Sequence, residues 1–192
     1  MPRDLMSYFS LKRLFDFLAA LFLLNALQPL LAIILLVVYF ILFEWPIFIQ
    51  KRMGRAGISF KMFKVKSMKT GHCSPSTHFV IKALRSTGLD ELPQIWNIFK
   101  GDMSFIGPKP LPLTYKNLIK IEHRRRDRVL PGITGLAQVS GGNSLNWHAR
   151  FELDIQYVNK LTFILDLDIF IKTLKLVFSG RDTHSKVLTA DY

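Results

Sequence analysis

The residues best suited to chemistry stand in one short stretch, Arg85-Ser-Thr-Gly-Leu-Asp90-Glu91-Leu-Pro-Gln94, which sets two adjacent carboxylates just after a glycine. Read as the start of a helix, neighbouring side chains there point about 100° apart, so Asp90 and Glu91 cannot address one atom through one face. A division of labour follows, in which one carboxylate attacks phosphorus and the other binds a metal or handles a proton. Acidic residues also complement the dipole of any helix start, and taken alone the pair reads as a plain cap. The surroundings favour chemistry. Arg85 precedes the pair, and Lys100 and the Gly107-Pro-Lys109-Pro110 loop follow it. Amides at helix starts and glycine loops, joined by cations, make a phosphate site.

Several elements must hold these residues in place. Pro46 to Met68 alternates apolar and polar residues around a Gly54 to Gly57 turn, which predicts a small hairpin with a basic outer face carrying Lys64 and Lys66. A loop is expected over Lys69 to His78, a helix over Phe79 to Arg85, and a break at Ser86-Thr87-Gly88. A second helix should run from Leu89 to Gly101, with Pro93 tolerated in its first turn. Ser104 to Pro112 reads as a loop and Thr114 to Val129 as a basic helix. Pro131 to Asn146 reads as another loop, glycine-rich and long enough to suggest function, with Gln138 and Asn143 as polar groups for substrate. Trp147 to Asn159 and Asp166 to Phe178 read as amphipathic helices, suited either to a membrane interface or to covering a core. The run His123 to Arg128 suits a membrane-facing or a solvated basic face.

Lys and Arg total 26 against 14 Asp and Glu, yet 49% of residues are hydrophobic. That combination fits an anionic membrane surface better than nucleic acid, for which no helix-turn-helix, zinc-finger or RNA-binding signature is present. The single cysteine, Cys73, allows no intrachain disulfide, fits a reducing compartment, and reads as a loop thiol.

Leu14 to Phe43 carries one charge, Asp16, and exceeds the roughly 20 residues that cross a bilayer core. It is too long for a cleavable signal, so residues 1–45 are expected as an anchor and 46–192 as one catalytic domain. Pro29, preceded by Gln28, interrupts the run, and basic residues flank both ends: Lys12 and Arg13 before it, Lys51, Arg52 and Arg55 after it. Charge alone chooses no orientation. On the residues, a proline-kinked spanning helix is the simpler reading, and a helix that returns to its own side is the other.

Ordered motifs then carry a resemblance. Lys12-Arg-Leu-Phe-Asp16, the anchor with Pro29, Gln50-Lys-Arg-Met-Gly54, Phe63-Lys-Val-Lys-Ser-Met68, Leu89-Asp-Glu-Leu-Pro-Gln94, Asn97-Ile-Phe-Lys-Gly-Asp-Met-Ser-Phe-Ile-Gly-Pro108, Pro131-Gly-Ile-Thr-Gly135 and Phe151-Glu-Leu-Asp154 stand in the order found in bacterial sugar transferases. The chain resembles the small monotopic phosphoglycosyl transferases over roughly Leu11 to Phe178. The resemblance implies an α+β, mostly helical fold: a re-entrant membrane helix broken at Gln28-Pro29, a small hairpin, and interfacial helices around a compact catalytic domain. It implies Asp90 as a nucleophile that attacks the β-phosphate of a UDP-sugar, expels UMP, and hands the phosphosugar to undecaprenyl phosphate. Glu91 is the partner carboxylate, and Mg²⁺ the cofactor, held by Asp90 and Glu91. Arg85, Lys109, Lys64 and Lys66 are expected at the phosphates, with Gln138 and Asn143 as further substrate contacts. The expected setting is the cytoplasmic face of a bacterial inner membrane, with membrane lipid and downstream glycosyltransferases as partners.

The chain departs from the family pattern at Lys109, where arginine is usual, and at Gln28, Leu130 and Gly142. Lysine exchanges a bidentate phosphate fork for a point charge. These departures motivate an alternative, a catalytically degenerate relative that binds nucleotide sugar or lipid as an assembly partner.

Overall fold

The computed structural model describes residues 3–67, 75–117 and 119–179. The element order is α1 (Arg3–Leu42), β1 (Ile47–Met53), β2 (Ser59–Val65), α2 (Pro75–Ser86), α3 (Gln94–Lys100), β3 (Ser104–Ile106), β4 (Gly132–Thr134), α4 (Leu136–Val139), α5 (Trp147–Asn159) and α6 (Phe163–Phe178). The expected hairpin is present: β1 and β2 pair antiparallel from Ile47 opposite Val65 to Met53 opposite Ser59. The expected loop over Lys69 to His78 lies outside the described residues up to 74, as does Cys73. From Pro75 onward the chain is already helical, because proline suits a first helical turn.

α1 is long and apolar enough to cross a membrane over Tyr8–Leu42, and the protein is membrane-associated. The helix continues through Pro29, so the expected break there is not an interruption of the helix. Proline removes only the bond its missing N–H would have given the Asn25 carbonyl, and a long apolar helix tolerates that loss. One face of α1 packs on the rest of the chain along its length. Tyr8 and Phe9 join the cluster of Ile106, Tyr157 and Ile169. Ala20, Leu24 and Leu27 meet Met62, Ile98 and Met103. Ile34, Val38 and Leu42 meet Val65 and Leu84. The opposite face leaves Leu11, Phe15, Leu18, Phe22, Ile33, Leu36 and Phe40 exposed. The 45/46 boundary falls in the link between α1 and β1.

Lys12 and Arg13, read in the sequence as flanking charges, are docking groups. Lys12 Nζ lies 2.6 Å from Asp166 Oδ2. Arg13 donates to the carbonyls of Ile98 at 2.6 Å and Phe99 at 2.9 Å, where a cation complements the C-terminal end of α3.

Two expected helices are instead built from tighter turns. Leu89 to Gly101 divides into a 3₁₀ turn at Leu89–Glu91 and α3, because Pro93 cannot donate to Leu89 and the bonds there shorten to three-residue steps such as Trp96 N–H to Pro93 O. Thr114 to Val129 divides into 3₁₀ stretches at Leu113–Asn117 and Ile121–Arg128. The second buries His123 and Arg126. That three-residue spacing suits a 3₁₀ turn and aims two members of the basic run inward, against both surface readings.

The two expected loops hold a parallel pair, β3 with β4, that no sequence alternation announced. A Cβ on Gly132 would lie 2.1 Å from the Gly107 nitrogen, and one on Gly107 would lie 2.4 Å from the Leu130 carbonyl oxygen, so this backbone approach needs both glycines. α5 matches its expected span, whereas α6 begins three residues before the expected Asp166, capped by the Thr162 side chain. Phe163, Ile164, Leu167, Phe170, Ile171, Leu174 and Val177 form an exposed apolar stripe on α6, while Asp166 and Ile169 face inward.

Candidate active site

Gly88 adopts φ 71°, a left-handed conformation open to glycine, and turns the end of α2 into the Leu89–Glu91 turn. Asp90 and Glu91 are therefore presented from a tight turn ahead of α3, and both are buried. Asn97 fixes this turn relative to the hairpin. Its side chain is fully buried, donates to the Lys61 carbonyl at 2.7 Å and accepts from the Phe63 N–H at 3.1 Å, joining α3 to β2. One residue beyond Phe63, Lys64 Nζ reaches Glu91 Oε1 at 2.7 Å.

Burial pushes the Asp90 carboxyl above the ordinary carboxylate range; the Lys64 charge opposes this, the Glu91 charge adds to it and the Arg85 charge opposes it. Lys109 is held from the other side. Its carbonyl accepts from Arg126 at 2.6 Å, the Pro108 carbonyl accepts from Gly132 N–H at 3.0 Å, and the Pro110 carbonyl accepts from Arg52 at 3.2 Å. Burial pushes the Lys109 ammonium down, the Glu91 charge holds it up, and Lys64, Arg52 and Arg150 push it further down. Arg126 itself is paired with Asp154 at 2.8 Å, and burial raises the Asp154 carboxyl to about 6 in spite of that partner.

Among the expected site residues, then, Asp90, Glu91, Lys64, Arg85 and Lys109 share one electrostatic neighbourhood. Lys66 does not join them: its ammonium pairs with Glu44 beyond the end of α1. Gln138 lies on α4 with both side-chain polar atoms buried and, among the described residues, without a hydrogen-bond partner. Asn143 sits in the Gly142–Ser144 turn, whose backbone Arg150 grips through the Asn143 carbonyl at 3.0 Å and the Leu145 carbonyl at 2.9 Å. Two cations escaped the sequence reading. Arg52 stands in the sequence as a flank of the anchor and inside the Gln50 to Gly54 motif, yet its charge acts on Glu91, and among the described residues its buried Nε has no hydrogen-bond partner. Arg150 was submerged in an amphipathic helix, and only the order of motifs around Gln50 to Gly54 pointed to Arg52.

The charges of Lys64, Arg85, Arg52 and Lys109 thus act on two carboxylates, with Arg150 adding its charge beside Lys109, an excess of positive charge suited to a polyanion such as a diphosphate. The donor set of Asp90 and Glu91 is all hard oxygen and carries crowded negative charge, which fits Mg²⁺.

Residues 7–180 match the family described as bacterial sugar transferase. The chain is 38% identical to the uncharacterized sugar transferase EpsL of Bacillus subtilis, over 87% of each protein. It is 30% identical to the exopolysaccharide production protein ExoY of Sinorhizobium fredii, over 90% of this chain and 88% of that one. It is 35% identical to the UDP-glucose:undecaprenyl-phosphate glucose-1-phosphate transferase of Klebsiella pneumoniae over 90% of this chain, which spans 41% of that longer protein.

Proposed function

The chain belongs to the bacterial sugar transferase family, and from that membership we propose that it moves a sugar-1-phosphate from a UDP-sugar to undecaprenyl phosphate through a covalent intermediate on Asp90. The observation that carries this reading is the set of cations whose charges act on the buried Asp90 and Glu91, Lys64 in direct contact with Glu91.

A carboxylate approaching a diphosphate meets charge repulsion, and Lys64, Arg85, Arg52 and Lys109 are placed to offset it. A carboxylate oxygen of Asp90 forms the bond to the β-phosphorus as the bond from that phosphorus to the bridging oxygen breaks, and UMP leaves with the electron pair. A phosphate oxygen of the lipid then attacks the same phosphorus and frees Asp90. Glu91, held by Lys64, stands beside the reacting carboxylate. Mg²⁺, when bound by Asp90 and Glu91, supplies neutralisation of the diphosphate charge.

Both halves of α1 pack against the catalytic elements, meeting β2 at Met62 and again at Val65, which supports a re-entrant anchor on the cytoplasmic face of a bacterial inner membrane. There the site meets lipid phosphates, and glycosyltransferases are the class that consumes the lipid-linked product. The retained cations give no support to a degenerate assembly partner.

The test is nucleotide release by purified protein with Mg²⁺, undecaprenyl phosphate and a panel of UDP-sugars. UMP appearing with one sugar, and lost in Asp90→Asn, is the expected result. Release of UDP, or turnover that survives Asp90→Asn, would overturn the mechanism.

A further inference from the structure

A second group of titratable side chains lies where the Ile121–Arg128 turn packs against α5. His148 and Glu152 are four residues apart on α5 and share a face of it. The inward spacing of the 3₁₀ turn delivers His123 to the same place, tilted against the Phe151 ring at a centroid distance of 4.9 Å. One ligand atom from each of His123, His148 and Glu152 lies within 4.8 Å of the others.

The state of His123 is the telling observation. Its side chain is 5% exposed, and among the described residues its Nε2 has no hydrogen-bond partner. That nitrogen is 3.7 Å from Glu152 Oε1, beyond hydrogen-bond length, although buried polar atoms are ordinarily satisfied. An orphaned imidazole nitrogen beside a second imidazole and a carboxylate offers the donors of a metal site.

We propose that His123, His148 and Glu152 bind a divalent late transition metal, with Zn²⁺ the best match. Two imidazoles and one carboxylate are borderline donors that suit zinc, in contrast to the all-oxygen pair at Asp90 and Glu91. Bonds of about 2.0–2.1 Å place tetrahedral ligand atoms about 3.3 Å apart. His148 and Glu152 are exposed and free to close that gap by rotation. Water or Glu122, whose Oε1 is 4.0 Å from His123 Nε2, fills the fourth position. The ion is structural. It pins the turn to α5 beside the Arg126–Asp154 pair, and Arg126 holds the Lys109 carbonyl, so the metal braces the outer side of the phosphate loop.

The experiment uses tag-free, full-length protein in detergent, stripped with a chelator and titrated with Zn²⁺ alone by calorimetry and thermal melting. One ion per chain is expected, raising the melting midpoint by about 5–10 °C at a hundredfold excess over Kd. His148→Ala and Glu152→Gln, both at exposed positions, should each weaken binding by about 100-fold or more. Asp90→Asn should bind Zn²⁺ normally, which separates this site from the carboxylate pair. Absence of binding, or binding unchanged in either His148→Ala or Glu152→Gln, would overturn the proposal.

Discussion

Lys64 Nζ on β2 lies 2.7 Å from Glu91 Oε1, on the same turn that carries Asp90. The hairpin therefore sets the charge of the turn as well as its position. Glu91 is engaged by the ammonium, while burial and three charges, Lys64 and Arg85 opposing it and Glu91 adding to it, fix the proton affinity of Asp90.

A pH profile reads this relationship. Asp90 must be ionised to attack, and its folded pKa is raised by burial, so activity should fall on acidification through a limb above the ordinary carboxylate range. The Lys64 charge lowers that pKa, and Lys64→Met should move the acid limb of kcat to higher pH, as should Arg85→Met to a smaller extent. A limb that stays in place in Lys64→Met would show that Asp90 is not the group titrating.

The Arg126–Asp154 pair gives a stability prediction with its own pH sign. Both side chains are at most 5% exposed, and removing one charge leaves the other uncompensated. Arg126→Met should cost about 3–5 kcal/mol near neutral pH. Asp154 already titrates near 6 when folded, above its unfolded value, and would rise further without the guanidinium. Such a group favours folding below its unfolded pKa and loses that contribution as pH rises through the folded one. The deficit of Arg126→Met should therefore be smaller at about pH 5 than at about pH 8 in denaturant titrations. Adding Asp154→Leu should recover part of the loss.

Much of the frame around these residues was legible. Apolar and polar residues alternating around the Gly54 to Gly57 turn marked the hairpin, and the 3.6-residue period marked α5. The Asp90-Glu91 motif and its flanking cations could be read before any coordinates. What escaped has a common cause. β3 and β4 are three residues each, too short to show a period, and their pairing rests on the contact of Gly107 with Gly132, which are distant in sequence. The 3₁₀ turn at Ile121–Arg128 looked like a charged helix because its inward period is three, and two of its inward groups, His123 and Arg126, are polar. Lys12 and Arg13 looked like membrane flanks because only tertiary structure supplies Asp166 and the end of α3 as their partners.

Asn97 is the joint between hairpin and site, and its removal should act on both. Asn97→Ala orphans the Phe63 N–H and the Lys61 carbonyl, at a cost of about 2–4 kcal/mol. Because Lys64 follows Phe63, turnover should fall by more than the unfolded fraction explains. Activity per folded molecule, measured well below the melting midpoint, checks this, and an unchanged value would confine Asn97 to a structural role.

The anchor makes the last prediction. Lys12 meets Asp166 at 2.6 Å, Arg13 caps α3, and 30 residues later Leu42 is buried with Val65 and Leu84, all partners in the catalytic elements. A helix spanning the bilayer would carry one of these ends to the far side, away from its partners. Leaving Asp166 beside Tyr157 without Lys12 and Tyr8 would then cost the charge compensation and the hydrogen bond that α1 provides. Reporter fusions before α1 and after α6 should accordingly report the same side of the membrane. Lys12→Met should destabilise the attachment of α1, seen as faster proteolysis within the anchor. Opposite-side reporters would mean that the Lys12 and Arg13 contacts are not made in the bilayer, and that Pro29 marks a kink in a spanning helix.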